Sequence, residues 1–157
     1  MEEQNNDEQF MRRCIELSHK CIKEGGKPFG CLITKNNELV VEMENQAQDD
    51  LTQHAEILAM RETAKKLGTS DLSECTLYSN CEPCPMCAFM IREYKISRVV
   101  FALKSPFMGG ASRWEILQDK MISRFKPTFS EPPIIESGVC EQEATKVFEE
   151  FGWTMHQ

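Results

Sequence analysis

The chain contains no apolar run of transmembrane length, only two tryptophans and two tyrosines, three histidines, and more acid than base. Without about twenty consecutive apolar residues it has no candidate membrane-spanning helix, so no membrane partner is expected. Its formal net charge of −7 argues against a partner held mainly by phosphates, since lysine and arginine drive such binding. There is no internal repeat or low-complexity tract, and 157 residues suffice for one domain, residues 1–157, around one core. The opening stretch, Met1 to Asp7, is acidic and polar, whereas a signal or transit peptide is basic or apolar. Eight cysteines without such a leader point to reduced thiols in the cytoplasm rather than to a disulfide framework. Cys14, Cys21, Cys31, Cys75 and Cys140 read as core. His19 and His156 have no partner at metal-ligand spacing and read as surface residues.

What the chain does contain is concentrated in two short stretches. One is His54-Ala55-Glu56; the other, about thirty residues later, is Pro83-Cys84-Pro85-Met86-Cys87. Together they supply one imidazole, two thiols and one spare carboxylate. That set can hold Zn²⁺ with a coordination position left for water and an acid/base beside it, the pattern of the zinc deaminases. Cys84 and Cys87 are i and i+3 residues of one helix face, and Pro85 suits the first helical position. His54 and Glu56, two apart, diverge on a helix flank and converge only beyond its first turn. Asp49, Asp50 and Thr52 read as start signals for that helix, so two helix N-termini are expected to face one ion.

Other chemistries fit parts of the pattern. Cys81 extends it to C-x-x-C-x-x-C, which with His54 can make a closed Cys₃His site. Such a structural module would act in protein binding and has no use for Glu56. An iron–sulfur site needs a fourth cysteine at cluster spacing after Cys87, and none follows. Three core thiols remain a further reading, opposed by the Pro-Cys-Pro helix start.

With Pro28-Phe29-Gly30, Asn45, His54-Ala55-Glu56 and Cys81 through Cys87, the chain resembles the cytidine deaminase-like zinc hydrolases. It is most similar to the branch of bacterial guanine deaminases, fungal-type cytosine deaminases and tRNA adenosine deaminases. The resemblance runs from about Met11 to Phe101 and loosens beyond Lys104. It implies His54, Cys84 and Cys87 as zinc ligands, Glu56 as proton shuttle, Asn45 as a donor to the substrate ring, and a homodimer. Phe89, Met90, Ile91 and Trp153 are candidates for that contact or for closing the site.

Apolar periodicity predicts a helix over about 7–24, stopping at Gly25-Gly26. A hairpin follows, Phe29 to Thr34 and Leu39 to Met43, turning at Asn36-Asn37. The His54 helix should end near Gly68, a strand should span Cys75 to Ser79, and the Cys84 helix should run to about Tyr94. Arg98 to Ala102 is the next strand, and Cys140 to Phe151 the last helix. The result is an α/β fold, a three-layer α/β/α sandwich around a mixed five-stranded sheet. Residues 103–132 hold a Gly-rich loop and a short helix near Trp114 to Lys120. A connection that long lets Ile134-Ile135 form a fifth strand parallel to the fourth, and the resemblance implies the same arrangement.

The substrate is less legible. Pro28-Phe29-Gly30 and the Cys81-to-Cys87 stretch look most like guanine deaminases, and with the acidic balance they favour free guanine. Met108-Gly109-Gly110-Ala111-Ser112 echoes the tRNA adenosine deaminases. There, Lys104, Arg113, Lys120, Arg124 and Lys126 would track a tRNA backbone instead of forming a solvated face. Cytosine, or a related aminopyrimidine or aminotriazine, is the third reading. Ser105 to Trp114 follows none of the three families well. Phe29 reads as a ring wall or as core, and Phe107 and Trp114 as stacking residues, with Trp114 equally able to anchor its helix. Trp153 reads as a lid or as packing at the helix end. Ala55 and Cys81 complete the candidate substrate shell.

Overall fold

The computed structural model describes residues 2–154, so His156 lies outside the described residues. The elements, in chain order, are α1 (Glu2–Lys23), β1 (Gly30–Lys35), β2 (Glu38–Glu44), α2 (Ala55–Leu67), β3 (Cys75–Cys81), α3 (Pro85–Glu93), β4 (Arg98–Leu103), β5 (Ile134–Ser137) and α4 (Glu141–Phe151). The strands form one sheet in the order β2-β1-β3-β4-β5. β1 is antiparallel to β2 and β3, while β3/β4 and β4/β5 are parallel. The long connection after β4 thus returns as a parallel edge strand, as the sequence predicts. α1 is longer than expected, beginning at Glu2 instead of near residue 7.

Alternation along the strands sends neighbouring side chains to opposite faces and builds two cores. Ile33, Leu77 and Val99 pack with Ala59, Met60, Ala88 and Ile91 from α2 and α3. Leu32, Tyr78 and Val100 pack with Met11, Cys14, Ala144 and Phe148 from α1 and α4. The eight cysteines are free thiols; Cys14, Cys21, Cys31 and Cys75 are buried, and Cys140 is half-buried. His19 sits at the surface against Glu150, its Nε2 2.8 Å from the carboxylate.

On the α1 face, buried Asp7 accepts hydrogen bonds from the Tyr78 hydroxyl at 2.6 Å and from Arg98 Nη1 at 2.9 Å. Burial pushes the Asp7 carboxyl up, but the Arg98 and Tyr78 bonds outweigh it and hold it below the ordinary 3.8. A carboxylate with a lowered folded value stabilises above the unfolded value, and that contribution fades as pH falls through the folded one. Asp7→Ala is therefore expected to cost about 3 kcal/mol in urea unfolding at pH 7. The difference from wild type should shrink below pH 4.

The predicted helix at Trp114 to Lys120 does not form. That stretch is a series of turns, followed by a single 3₁₀ turn at Ile122–Arg124. Arg92, fully buried on α3, is the reason. Its guanidinium donates to the carbonyls of Ile116 (2.9 Å), Asp119 (2.7 Å) and Ser130 (3.0 Å), and to the Ser123 hydroxyl at 2.7 Å. The Ile116 carbonyl, which a helix over 114–120 would pair with the N–H of Lys120, is taken by a side chain from another element.

Candidate metal centre

His54 is the N-cap of α2 and Cys84 the N-cap of α3, each with extended backbone and no side-chain capping bond. Residues at this position usually spend their side chain on the first-turn N–H groups; here both side chains are free for another partner. Asp50 makes its own turn instead, accepting from Thr52 N–H and Oγ1 at 2.8 and 2.6 Å, so the expected start signals shape the approach rather than cap the helix. Cys87 lies in the first turn of α3, on the same face as Cys84.

His54 Nδ1 lies 3.5 Å from Cys84 Sγ and 3.6 Å from Cys87 Sγ. All three donor atoms fall within 4.8 Å of one another. Zn–N of about 2.0–2.1 Å and Zn–S of about 2.3 Å at a tetrahedral angle place nitrogen and sulfur roughly 3.5–3.6 Å apart. The donor set therefore fits zinc in both chemistry and spacing. Cys81 is not part of this cluster; it is buried beside Leu103 and Tyr78, which removes the closed Cys₃His reading among the described residues.

Glu56, buried in the first turn of α2, directs one carboxylate oxygen at the cluster. Ser79 on β3 donates to its Oε1 at 2.7 Å, and Oε2 lies 3.6 Å from Cys87 Sγ. Burial pushes the Glu56 carboxyl up, opposed by the Ser79 hydroxyl. Cys84 is pulled down to about 4, chiefly by its bond with Cys87 and then by His54. Cys87 is pushed well above an ordinary thiol by the same bond and by burial. The His54 imidazole is raised above 6.5 by its bond with Cys84.

Two adjoining cavities open onto this cluster. One, about 210 Å³, is lined by Lys27, Phe29, Asn45, His54, Glu56, Glu82, Cys84 and Trp153. The other, about 240 Å³, shares Phe29, Glu82, Cys84 and Trp153 and adds Cys81, Ser105, Phe107 and Met108. Asn45 Oδ1 accepts Ala47 N–H at 2.9 Å, leaving the amide NH₂ available to a ligand. Phe29 is both wall and core: it packs edge-on to Phe148 at 5.7 Å and against Trp153 at 6.0 Å. Trp153 also stacks edge-on against Phe151, at 4.9 Å, so packing of the tail brings it to the cleft. Ala55 is fully buried under the cluster in the α2 core.

Trp114 lies outside both cavities, 39% exposed, with the Arg113 guanidinium 4.4 Å from its ring. It neither lines the cleft nor anchors a helix. Lys104, Arg113, Lys120, Arg124 and Lys126 are all exposed. Sequence reading overlooked Ser79 and Glu82. Ser79 gave a weak signal, a hydroxyl two residues past buried Leu77 and so on the same face of β3. Glu82 gave none, because its partners lie more than twenty residues away.

The model of the cytidine and deoxycytidylate deaminase zinc-binding region matches residues 4–103. The chain is 41% identical over 85 residues to the guanine deaminase of Bacillus subtilis, covering 52% of this chain and 54% of that protein, about half its length. It is 33% identical over 141 residues to the tRNA-specific adenosine deaminase of the same organism, covering 87% and 83%. A solved structure from work on A-to-I editing by tRNA:A34 deaminases superposes with a TM-score of 0.79 at 25% identity, covering 88% of this chain and 98% of that one.

Proposed function

Because the chain belongs to the cytidine and deoxycytidylate deaminase zinc-binding family, we propose that residues 1–157 act as one hydrolytic deaminase domain with guanine as substrate. The reaction turns an exocyclic C–NH₂ into C=O, consuming one water and releasing one ammonia, so guanine gives xanthine. The observation that carries the deaminase reading is buried Glu56 directed at a three-donor cluster of zinc spacing.

Bound zinc, held by His54, Cys84 and Cys87, supplies a Lewis acid that activates water. The chain's own residues bind the ring and move the protons. Ser79 fixes Glu56 Oε1, and a Cys87 serving as a thiolate ligand would have no proton to give Oε2, leaving that oxygen free. Oε2 can then take a proton from water and hand it to the ring nitrogen beside the reacting carbon. The departing amine receives the second water proton, from the hydroxyl added to the ring carbon, as the C–N bond breaks and the C=O forms. A carboxyl raised by burial holds such a proton more firmly than an exposed one, which suits a shuttle. Phe29 and Trp153 offer apolar faces to a flat ring, and the Asn45 amide offers a donor at its edge.

Support for guanine comes from the 41% identity over 85 residues to a guanine deaminase and from the acidic net charge. The greater coverage by a tRNA-specific adenosine deaminase supports a second reading, in which the exposed cations of 104–126 meet an RNA backbone. Guanine, adenine, cytosine, their nucleosides and an anticodon stem-loop, assayed for ammonia release with and without chelator, separate the two. Zinc-dependent release from guanine is the expected result; release from the stem-loop alone would overturn the guanine assignment.

The proposal includes a homodimer in the cytoplasm. α3 exposes Phe89 (43%), whose ring meets Phe129 edge-on at 5.3 Å, on the segment that also exposes Met121 (62%) and Phe125 (68%). Ile91 is fully buried within one chain and drops out of the contact. Phe89→Asp is expected to shift the sedimentation coefficient from dimer to monomer, and a wild type that sediments as a monomer would end this part of the proposal. Free thiols throughout agree with a reducing compartment. Among the described residues no helix is long and apolar enough to cross a membrane.

A further inference from the structure

Glu82 is buried between Cys81 and Pro83, two residues before the Cys84 ligand, and it borders both cavities of the cleft. An ionised carboxylate offers about four acceptor positions, and the chain itself fills all of them. Oε1 accepts Ser105 N–H at 3.2 Å and the Ser112 hydroxyl at 2.5 Å. Oε2 accepts Ala111 N–H at 3.1 Å and Ser112 N–H at 2.9 Å. A carboxylate so saturated has nothing left for a substrate. Its partners are the two ends of one loop, whose tip carries Phe107 and Met108 into the cleft wall.

The loop is bolted to the metal-binding segment at further points. Gly110 N–H donates to Pro83 O at 2.8 Å. A Cβ on Gly110 would stand 2.4 Å from the Ala88 Cβ, and one on Gly109 would stand 1.6 Å from Glu82 Oε2. Neither position has room for a side chain, so the Gly-Gly pair is required by close approach. The loop in turn orders its own outer face, where Arg113 donates to Phe107 O at 3.0 Å and lies 5.3 Å from the Phe107 ring.

We propose that Glu82 is a positioning residue for substrate selection: by tying both ends of the 105–112 loop to the Cys84 segment, it sets the distance between the Phe107/Met108 wall and the metal centre. The inference rests on the deaminase reading and deepens it. Glu82 decides which ring fits, while Glu56 moves the protons.

Glu82→Gln is the first test, because Gln keeps an oxygen for one pair of donors and turns an NH₂ on the other pair. Ser112→Ala, which removes a single donor from an exposed residue, is the milder companion. In zinc-loaded Glu82→Gln, exchange of the Ser105, Ala111 and Ser112 amides should quicken by about tenfold, with the α3 amides unchanged. KM for guanine should rise by about tenfold while kcat stays within about threefold, and the guanine-to-cytosine ratio of kcat/KM should fall. Ser112→Ala should move the same quantities less. Faster exchange with KM and the ratio unchanged would overturn the proposal, and so would unaltered exchange. If the wild type ignores guanine, that assignment fails by itself; the amide exchange and the selectivity among rings the wild type accepts then judge Glu82.

Discussion

Glu56→Gln is expected to lower ammonia release by about 10²–10⁴-fold, or about 3–5 kcal/mol in the barrier, with zinc still bound. Glutamine preserves the shape of the side chain and its bond to Ser79, whose hydroxyl can still donate to the amide oxygen. It removes the carboxyl oxygen directed at the cluster, and a neutral amide neither accepts nor returns a proton at working pH. His54, Cys84 and Cys87 are untouched, so zinc content measured by atomic emission should match wild type. Near-normal turnover in the variant would show that another group carries the proton. The steric alternative is excluded in the same experiment, because Gln and Glu occupy nearly equal volumes.

Cys87→Ser is expected to empty the metal site and abolish activity, since a serine hydroxyl is not ionised at neutral pH and is a poor zinc ligand. The wild-type protein should show the same chemistry as a pH dependence. Without metal, Cys84 is pulled down to about 4 and is already a thiolate at neutral pH. Cys87 is held well above an ordinary thiol and keeps its proton there, so zinc must displace it. Affinity should therefore rise about tenfold per pH unit across the neutral range. The His54 imidazole is raised above 6.5, so a second proton is displaced as pH falls below its folded value. The slope then steepens toward about a hundredfold per unit. Competition with a chromogenic chelator between pH 6 and 8.5 measures both slopes, and a flat profile would remove the thiol Cys87 from the metal-free state.

Much of the fold was legible because its signals are local. Short β-favouring runs in Cys75 to Ser79 and in Arg98 to Ala102, each buried almost throughout, mark strands, and the Pro-Cys-Pro start marks α3. The length of the 103–132 connection allowed a parallel fifth strand, and β5 pairs with β4 in that sense. The short helix at Trp114 to Lys120 failed for a non-local reason: its apolar spacing is helical, but Arg92 from α3 captures the Ile116 carbonyl and ties the turns that follow through Asp119 O. A side chain whose partners lie twenty-four or more positions away leaves no trace in a sequence window.

His54, Glu56, Cys84 and Cys87 were readable because metal chemistry restricts residue type and spacing together, and a short motif records both. Their placement at two facing helix N-termini followed from the two-residue step between His54 and Glu56. The surroundings of that centre depend on folding. Ser79 reaches Glu56 only because α2 packs over β1 and β3 lies next to β1 in the sheet, Trp153 borders the cleft because α4 packs against Phe29, and Trp114 turns away from it. Glu82 has a use only when the chain returns after β4 to present both ends of a loop. Donor identity and spacing are properties of the chain, and the sequence determined the chemistry. Which surfaces meet across the cleft is a property of packing, and the tertiary structure alone decided the shape that a substrate must fit.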